Sequence, residues 1–191
     1  MKESYEGMMG VWVDSLRLRG FWIGVIAMIV IVTGANIAVQ YPINDWLTWG
    51  AFTYPVSFLV TDLTNRNMGP AVARRVVYVG FVLGVALSFY FAGWRIALAS
   101  GSAFLVAQLL DVQIFDRLRR GIWWRAPFVS STLASVIDTA LFFGLAFAGT
   151  GLPWVTWAIG DYGVKLAMAL GLLIPFRALM PSVRSLERAG G

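Results

Sequence analysis

Long apolar runs recur along this chain, and they constrain its fold more than any other feature. The first runs from Phe21 to Val39. That is close to the roughly 20 apolar residues that a helix needs to cross the hydrocarbon core of a bilayer. Charged residues make up only 13% of the 191 residues, whereas a soluble domain has about 25%. Because a helix satisfies its own backbone hydrogen bonds inside lipid, the sequence predicts an all-α membrane protein.

Five further segments have a similar character, so we predict a polytopic bundle of six transmembrane helices. No long linker or low-complexity segment divides them, and we therefore treat 1–191 as a single transmembrane domain. The first apolar run is not followed by a small-residue cleavage site, so we do not expect a cleaved signal peptide. The predicted spans cover residues 21–39, 46–61, 76–92, 95–115, 127–148 and 154–179.

The arginines indicate how these helices are oriented. They cluster in the N-terminal lead, in alternate links and in the tail, while the intervening links carry only Arg95. Cytoplasmic segments are enriched in Lys and Arg, so we expect both termini of this multi-pass protein to be cytoplasmic. This bias explains the net charge of +5 better than nucleic-acid binding does. The clustered residues are Arg17, Arg19, Arg66, Arg74, Arg75, Arg117, Arg119, Arg120, Arg125, Arg184 and Arg188.

The second predicted span is short, and Pro55 interrupts it. Proline removes a helix hydrogen bond, and short, interrupted spans often mark the binding site of a transporter. The same segment leads into Asp62 and then into the basic link that begins at Arg66. Asp62 is therefore predicted either to bind a solute inside the membrane or to cap a helix at the start of that link.

Other ionisable and amide side chains also fall within apolar spans. Such groups are costly in lipid, so they usually face a bundle interior or a water-filled cavity. We infer a polar cavity that binds or conducts a small polar solute. The candidate binding residues are Asn36, Tyr54, Asp62, Gln108, Asp111, Ser131, Asp138 and Lys165.

Structural interpretations of these residues remain open. Asp111 is also compatible with a position at the cytoplasmic end of its span, and Asp138 with a hydrogen bond between helices. Asp161 and Lys165 have the spacing of an ion pair within one helix. Asn36 is better explained as a helix–helix contact.

The composition excludes several chemistries. The chain has no Cys and no His, so thiol catalysis and the commonest metal ligands are absent. We expect no catalytic residues, no metal and no cofactor. A Ser–Lys pair of Ser130 or Ser131 with Lys165 is the remaining enzymatic alternative, but nothing in the sequence places those residues together. No phosphate-binding P-loop motif occurs, so the chain does not itself hydrolyse nucleotide in that way.

Several motifs resemble those of one transporter family. They are WGAFTYPVSFLVTDLTNR and GPAVARR, then RIALASGSAFLVAQLLDVQIFDRLRR, WWRAP, SSTLASVIDTALFF and DYGVKL, within residues 46–176. In order and spacing they resemble the queuosine precursor transporters, a vitamin-uptake-like group of six-span bacterial inner-membrane proteins. Ser135 stands where a close relative has Asn.

The resemblance implies import of 7-cyano-7-deazaguanine or 7-aminomethyl-7-deazaguanine for queuosine modification of tRNA. It implies no ATPase subunit. The alternatives are a substrate-binding membrane subunit of an energy-coupling-factor-type vitamin importer, or a transporter of another small polar heterocycle.

A deazaguanine fits the candidate residues chemically. Its guanine-like edge carries two adjacent N–H donors beside a carbonyl, and a carboxylate accepts from both donors. We expect Asp138 or Asp62 to bind this edge, Gln108 or Lys165 to meet the carbonyl, and Tyr54 or a phenylalanine to stack on the ring. Buried acids are compatible with proton coupling and with facilitated diffusion alike. A G-x-x-x-G motif at Gly80 and Gly84 is compatible with a homodimer or with internal packing.

Overall fold

The computed structural model describes residues 2–180, with side chains from Leu18 onward. The predicted roles of Arg17, Arg184 and Arg188 lie outside the described side chains. Residues 2–180 are helical apart from short links and one isolated bridge between Pro42 and Thr48. The helices are α1 (Lys2–Ala38), α2 (Gly50–Thr53), α3 (Val56–Met68), α4 (Pro70–Ala92), α5 (Trp94–Leu118), α6 (Arg125–Phe147), α7 (Trp154–Gly171) and α8 (Leu173–Leu179).

Five segments of the described chain are long and apolar enough to cross a membrane. The prediction of an all-helical, multi-pass membrane protein is therefore confirmed, and the count of six spans stays a prediction. The five segments are Leu18–Ala38, Pro70–Ala92, Trp94–Leu118, Arg125–Phe147 and Trp154–Leu179.

The second predicted span corresponds to the broken pair α2–α3. Before it lies a hydrogen-bonded loop, in which Asn44 Oδ1 accepts the backbone N–H groups of Trp46 and Leu47 at 2.8 and 2.9 Å. The helix is interrupted at Tyr54 and Pro55 and then continues to Met68. Asp62 consequently lies inside α3 and not in the link after it.

Glycines end α3 and α4 abruptly. Gly69 and Gly93 have positive φ angles of 85° and 80°, which glycine adopts without the strain a Cβ would cause. Pro70 then occupies the first turn of α4, where its missing N–H is not needed. The chain therefore reverses over a single residue at both places, and α3, α4 and α5 become neighbours.

The G-x-x-x-G motif packs inside the chain. Gly80 and Gly84 lie against Met28 and Val32 of α1, and a Cβ at Gly80 would come within 2.8 Å of the Met28 Cβ. Small residues let helices approach closely where lipid provides no hydrophobic drive between them. Of the two interpretations, internal packing accounts for these glycines.

Apolar side chains cover the outside of the bundle, as lipid contact requires. Tyr90 is 83% exposed on α4, and Ile23 and Val30 are similarly exposed on α1. Polar side chains instead point inward, including four aspartates and Lys165. Since buried charges in lipid must be paired or serve a function, the interior of the bundle is where a site is expected.

Candidate functional site

Lys165 is the centre of a buried ionic network. It lies on α7 and is 3% exposed. Its Nζ lies 2.7 Å from Asp138 Oδ2 on α6 and 2.5 Å from Asp161 Oδ2 one turn earlier on α7. A third hydrogen bond of 2.9 Å goes to Thr139 Oγ1. Two carboxylates therefore share one ammonium group away from water.

Tyr54 joins this network to the break between α2 and α3. Its hydroxyl donates to Asp138 Oδ1 at 2.9 Å, and its ring centroid lies 5.2 Å from Lys165 Nζ. Thr139 closes the ring of contacts by donating to Asp161 Oδ2 at 2.9 Å. We call these five side chains the lysine network. It ties the interrupted helix directly to α6 and α7.

A small pocket with about 20 Å³ of free space lies on one side of the lysine network. Its polar lining consists of Asp62 from α3, Ser131 and Ser135 from α6, and Lys165. We call it the Asp62 pocket. Its other lining residues are Pro55, Phe58, Leu59, Pro127, Ala169, Leu172, Leu173 and Phe176.

A second small pocket, also with about 20 Å³ of free space, lies beyond the network. The last turns of α1 contribute Asn36 to it, and we call it the Asn36 pocket. Lys165 lines both pockets. Along α6, Ser131 faces the first pocket and Phe142 the second, with Asp138 between them, so the two pockets lie at different depths along the helix axes. The remaining lining residues of the Asn36 pocket are Ala35, Val39, Gly50, Tyr54, Asp138 and Asp161.

Asp62 faces a second carboxylate across the bundle. Asp62 is 2% exposed and accepts long hydrogen bonds from Ser131 and Ser130, at 3.2 and 3.5 Å. Asp111 of α5 faces Asp62 and the same two serines. Asp111 is fully buried, and neither of its carboxylate oxygens has a hydrogen-bond partner among the described residues.

Gln108 and Asn36 bridge helices. Gln108 donates to Ser57 at 2.9 Å and accepts from Thr61 at 2.5 Å, so it ties α5 to α3. It lines neither the Asp62 pocket nor the Asn36 pocket. Asn36 donates to Ser88 of α4 at 2.8 Å and also lines the Asn36 pocket.

The eight candidate residues thus divide into groups. Tyr54, Asp138 and Lys165 meet in the lysine network, and Asp62, Asp111 and Ser131 meet in a second cluster. Thr139 was missed, because no spacing in the sequence distinguishes it from other hydroxyl residues within the spans. Asp161 does form the pair with Lys165 that its i, i+4 spacing allows, but the pair is buried and shared with Asp138.

Enzymatic and metal chemistry find no support in these contacts. The partners of Lys165 Nζ are Asp138, Asp161 and Thr139, and no hydrogen bond joins it to Ser130 or Ser131 among the described residues. The described side chains also include no group of three His, Cys, Asp or Glu residues arranged to hold a metal ion.

Comparison with known proteins identifies the family. A family model described as "Putative vitamin uptake transporter" matches residues 48–93 and 86–180. The chain belongs to the vitamin uptake transporter family. The matched residues include the broken helix, the lysine network and both aspartates of the second cluster. No solved structure matches the chain.

Three proteins with similar sequences are named as queuosine precursor transporters. The chain is 33% identical to the Queuosine precursor transporter of Escherichia coli, over 90% of this chain and 91% of the relative. It is 35% identical to a Probable queuosine precursor transporter of Haemophilus influenzae, over 77% of this chain and 80% of the relative. A Bacillus subtilis protein of the same name is 29% identical over 64% of this chain and 67% of the relative. The resemblance drawn from the motifs is confirmed.

Proposed function

We propose that this transporter imports the queuosine precursors 7-cyano-7-deazaguanine or 7-aminomethyl-7-deazaguanine across the bacterial inner membrane. The names of its relatives support this class of substrate. The observation that carries the proposal is the Asp62 pocket, where a buried carboxylate with spare accepting capacity lies beside aromatic rings. Its free space of about 20 Å³ has room for about one water molecule, so the pocket must widen to admit a heterocycle.

Asp62 is a better acceptor for the guanine-like edge than Asp138. Both oxygens of Asp138 already accept short hydrogen bonds, from Tyr54 and from Lys165. Among the described residues, the hydrogen bonds that Asp62 accepts come from the two serine hydroxyls, at the long end of hydrogen-bond range. A carboxylate with free lone pairs can accept both N–H donors of the edge, and such charge-assisted bonds are the stronger kind.

The rest of the Asp62 pocket complements a flat heterocycle. Phe58 lies one turn before Asp62 on α3, and Phe176 lines the pocket from α8. Stacking of an aromatic ring on a base contributes about 1–3 kcal/mol. Ser135 offers a hydroxyl donor to the carbonyl of the substrate, with Lys165 at the inner end of the pocket.

The lysine network acts in this proposal as the barrier between two half-sites. The Asp62 pocket lies toward the end of the bundle that carries Arg66, Arg119 and Arg125, which is the cytoplasmic end by the charge bias. The Asn36 pocket then lies toward the outer side. Substrate entering there reaches the Asp62 pocket when Tyr54 and Lys165 separate from Asp138. The helix break at Pro55 is where the backbone can bend so that Tyr54 moves away from Asp138.

The proposed topology has six crossings with both termini in the cytoplasm, the α2–α3 pair being one crossing. Because the chain has no Cys, a maleimide can react only with a cysteine that is introduced by mutation. Labelling then shows on which side of the membrane that position lies. In intact cells a membrane-impermeant maleimide is expected to label an Asp45→Cys variant. An Arg74→Cys variant is expected to react only after permeabilisation. Equal labelling at both positions would show that α2–α3 does not cross, and the cysteine-free parent controls for background.

The function itself is tested in cells that can neither make nor import the precursor. Expression of this chain with external 7-cyano-7-deazaguanine is expected to restore queuosine in tRNA, measured by mass spectrometry of digested nucleosides. Co-purification with an ATPase, and failure of uptake without it, would favour the energy-coupling-factor alternative. No restoration despite normal membrane expression would reject the precursor as substrate.

A further inference from the structure

The facing carboxylates of Asp62 and Asp111 point to a second site beside the proposed substrate position. The two side chains are 2% and 0% exposed. No ion pair joins either of them to a Lys or Arg among the described residues. Hydrogen bonds from Thr61 to Gln108 and from Asn65 to Val112 hold α3 beside α5 on both sides of the pair. Two buried like charges placed side by side cannot both stay ionised without a cation, and a shared proton resolves this in other buried carboxylate pairs.

The cations nearest the pair have other bonding partners among the described residues. On α7, Lys165 lines the same pocket as Asp62 but bonds to Asp138 and Asp161. On α3, Arg66 follows Asp62 by one turn and donates to the backbone carbonyl of Arg119 at 2.5 Å. On α6, the groups that face the pair are the two serine hydroxyls.

A second buried acceptor without a described partner lies on the same stretch of α3. Asn65 is fully buried one turn after Asp62, and its Nδ2 donates to the carbonyl of Val112, the residue after Asp111, at 3.0 Å. Its Oδ1 has no partner among the described residues. Buried acceptors without a hydrogen-bond donor are rare in folded proteins. A protonated carboxyl is a donor of the required type, while an ionised carboxylate is not.

We propose that Asp62 and Asp111 hold one transported proton, and that this proton couples uptake to the proton gradient. The proposal rests on the proposed function, because the substrate binds to Asp62 in its ionised form. Asp111 then holds the proton. By thermodynamic linkage, bound substrate raises the affinity for the proton, and the bound proton raises the affinity for substrate by the same factor. The proton comes from water on the outer side and returns to water in the cytoplasm, with no other bond changed. A metal ion fits less well, since hard cations such as Ca²⁺ require six or more oxygen ligands and the serine hydroxyls here donate toward Asp62.

The test uses the full chain in proteoliposomes with labelled 7-cyano-7-deazaguanine, which carries no charge. With the lumen alkaline by about one pH unit, the wild type is expected to accumulate the label up to about tenfold, the ratio one proton per substrate supports. An Asp111→Asn variant is expected to exchange label across the membrane without accumulating it. Asp116→Asn, on the same helix but half-exposed, is the matched control and keeps accumulation.

Infrared spectroscopy gives a readout that does not need substrate. The wild type is expected to show a protonated-carboxyl C=O band at neutral pH that is lost in Asp111→Asn and retained in Asp116→Asn. Absence of that band, accumulation driven by a sodium gradient instead, or normal accumulation by Asp111→Asn would each overturn the proton site. If the wild type fails even to exchange the precursor, the proposed function fails, and the infrared band alone decides the proton site.

Discussion

Replacing Lys165 with methionine is expected to prevent stable folding. The ammonium group is the shared partner of Asp138 and Asp161, and all three side chains are buried. Removing it leaves two carboxylates facing each other with only hydroxyl groups to offset them. Breaking a buried ion pair by deleting one partner costs about 3–5 kcal/mol, a large part of the stability of a typical domain. We expect little monodisperse protein by size-exclusion chromatography in detergent.

A rescue variant distinguishes the effect of uncompensated buried charge from the effect of losing the lysine side chain. Combining Lys165→Met with Asp138→Asn and Asp161→Asn removes both uncompensated carboxylates, so folding is expected to return while uptake does not. The matched control is Arg177→Met, which removes an exposed cation that stacks on Trp123 and is expected to leave the chromatographic profile unchanged. A Lys165→Met protein as stable as the wild type would show that the network does not support the fold.

Replacing Asp62 with asparagine is expected to abolish measurable uptake while leaving the protein folded. Asparagine offers one acceptor and one donor, so its NH₂ group meets an N–H of the guanine-like edge instead of accepting from it. A good bidentate contact to a base edge is worth about 1–3 kcal/mol, which corresponds to roughly 5- to 150-fold weaker binding. Binding of labelled precursor to purified protein, and uptake in cells with matched expression, measure the two effects.

Two controls make the Asp62 result specific. Asp45→Asn changes an exposed carboxylate in the α1–α2 link and is expected to transport normally. An analogue that lacks the exocyclic amine is expected to bind the wild type more weakly than the precursor does, and Asp62→Asn is expected to lose that preference. Wild-type affinity and preference in Asp62→Asn would remove Asp62 from the substrate site.

Local rules predicted the burial of some candidate residues and one pairing between them. The spacing of Asp161 and Lys165 places them on one helix face, and they are paired. The cost of burying charge in lipid indicated that Asp138 and Lys165 would point inward, and both do. These inferences need only the helix repeat and the polarity of the surroundings, which a sequence carries at every position.

Other features depend on how helices far apart in the chain are packed. The sequence left two positions open for Asp62, inside a helix or in the link after it. The end of a helix next to a proline break is poorly marked by composition. Gln108 is an amide within an apolar span, which made it a candidate for solute binding. Its side chain instead hydrogen-bonds with Ser57 and Thr61 on α3. Whether a polar side chain meets a cavity or a neighbouring helix is settled by the rotation of each helix against the next.

The sequence by itself determined that this chain is a multi-pass helical membrane protein, because long apolar runs in lipid must form helices. It also determined which charges had to be buried and which family the motifs indicate. Only the tertiary structure decided that Asp138 shares Lys165 with Asp161, and that Asp62 faces Asp111. It also placed a pocket on each side of the lysine network. Those contacts join residues on different helices, and their geometry follows from helix packing angles and depths that no local pattern encodes.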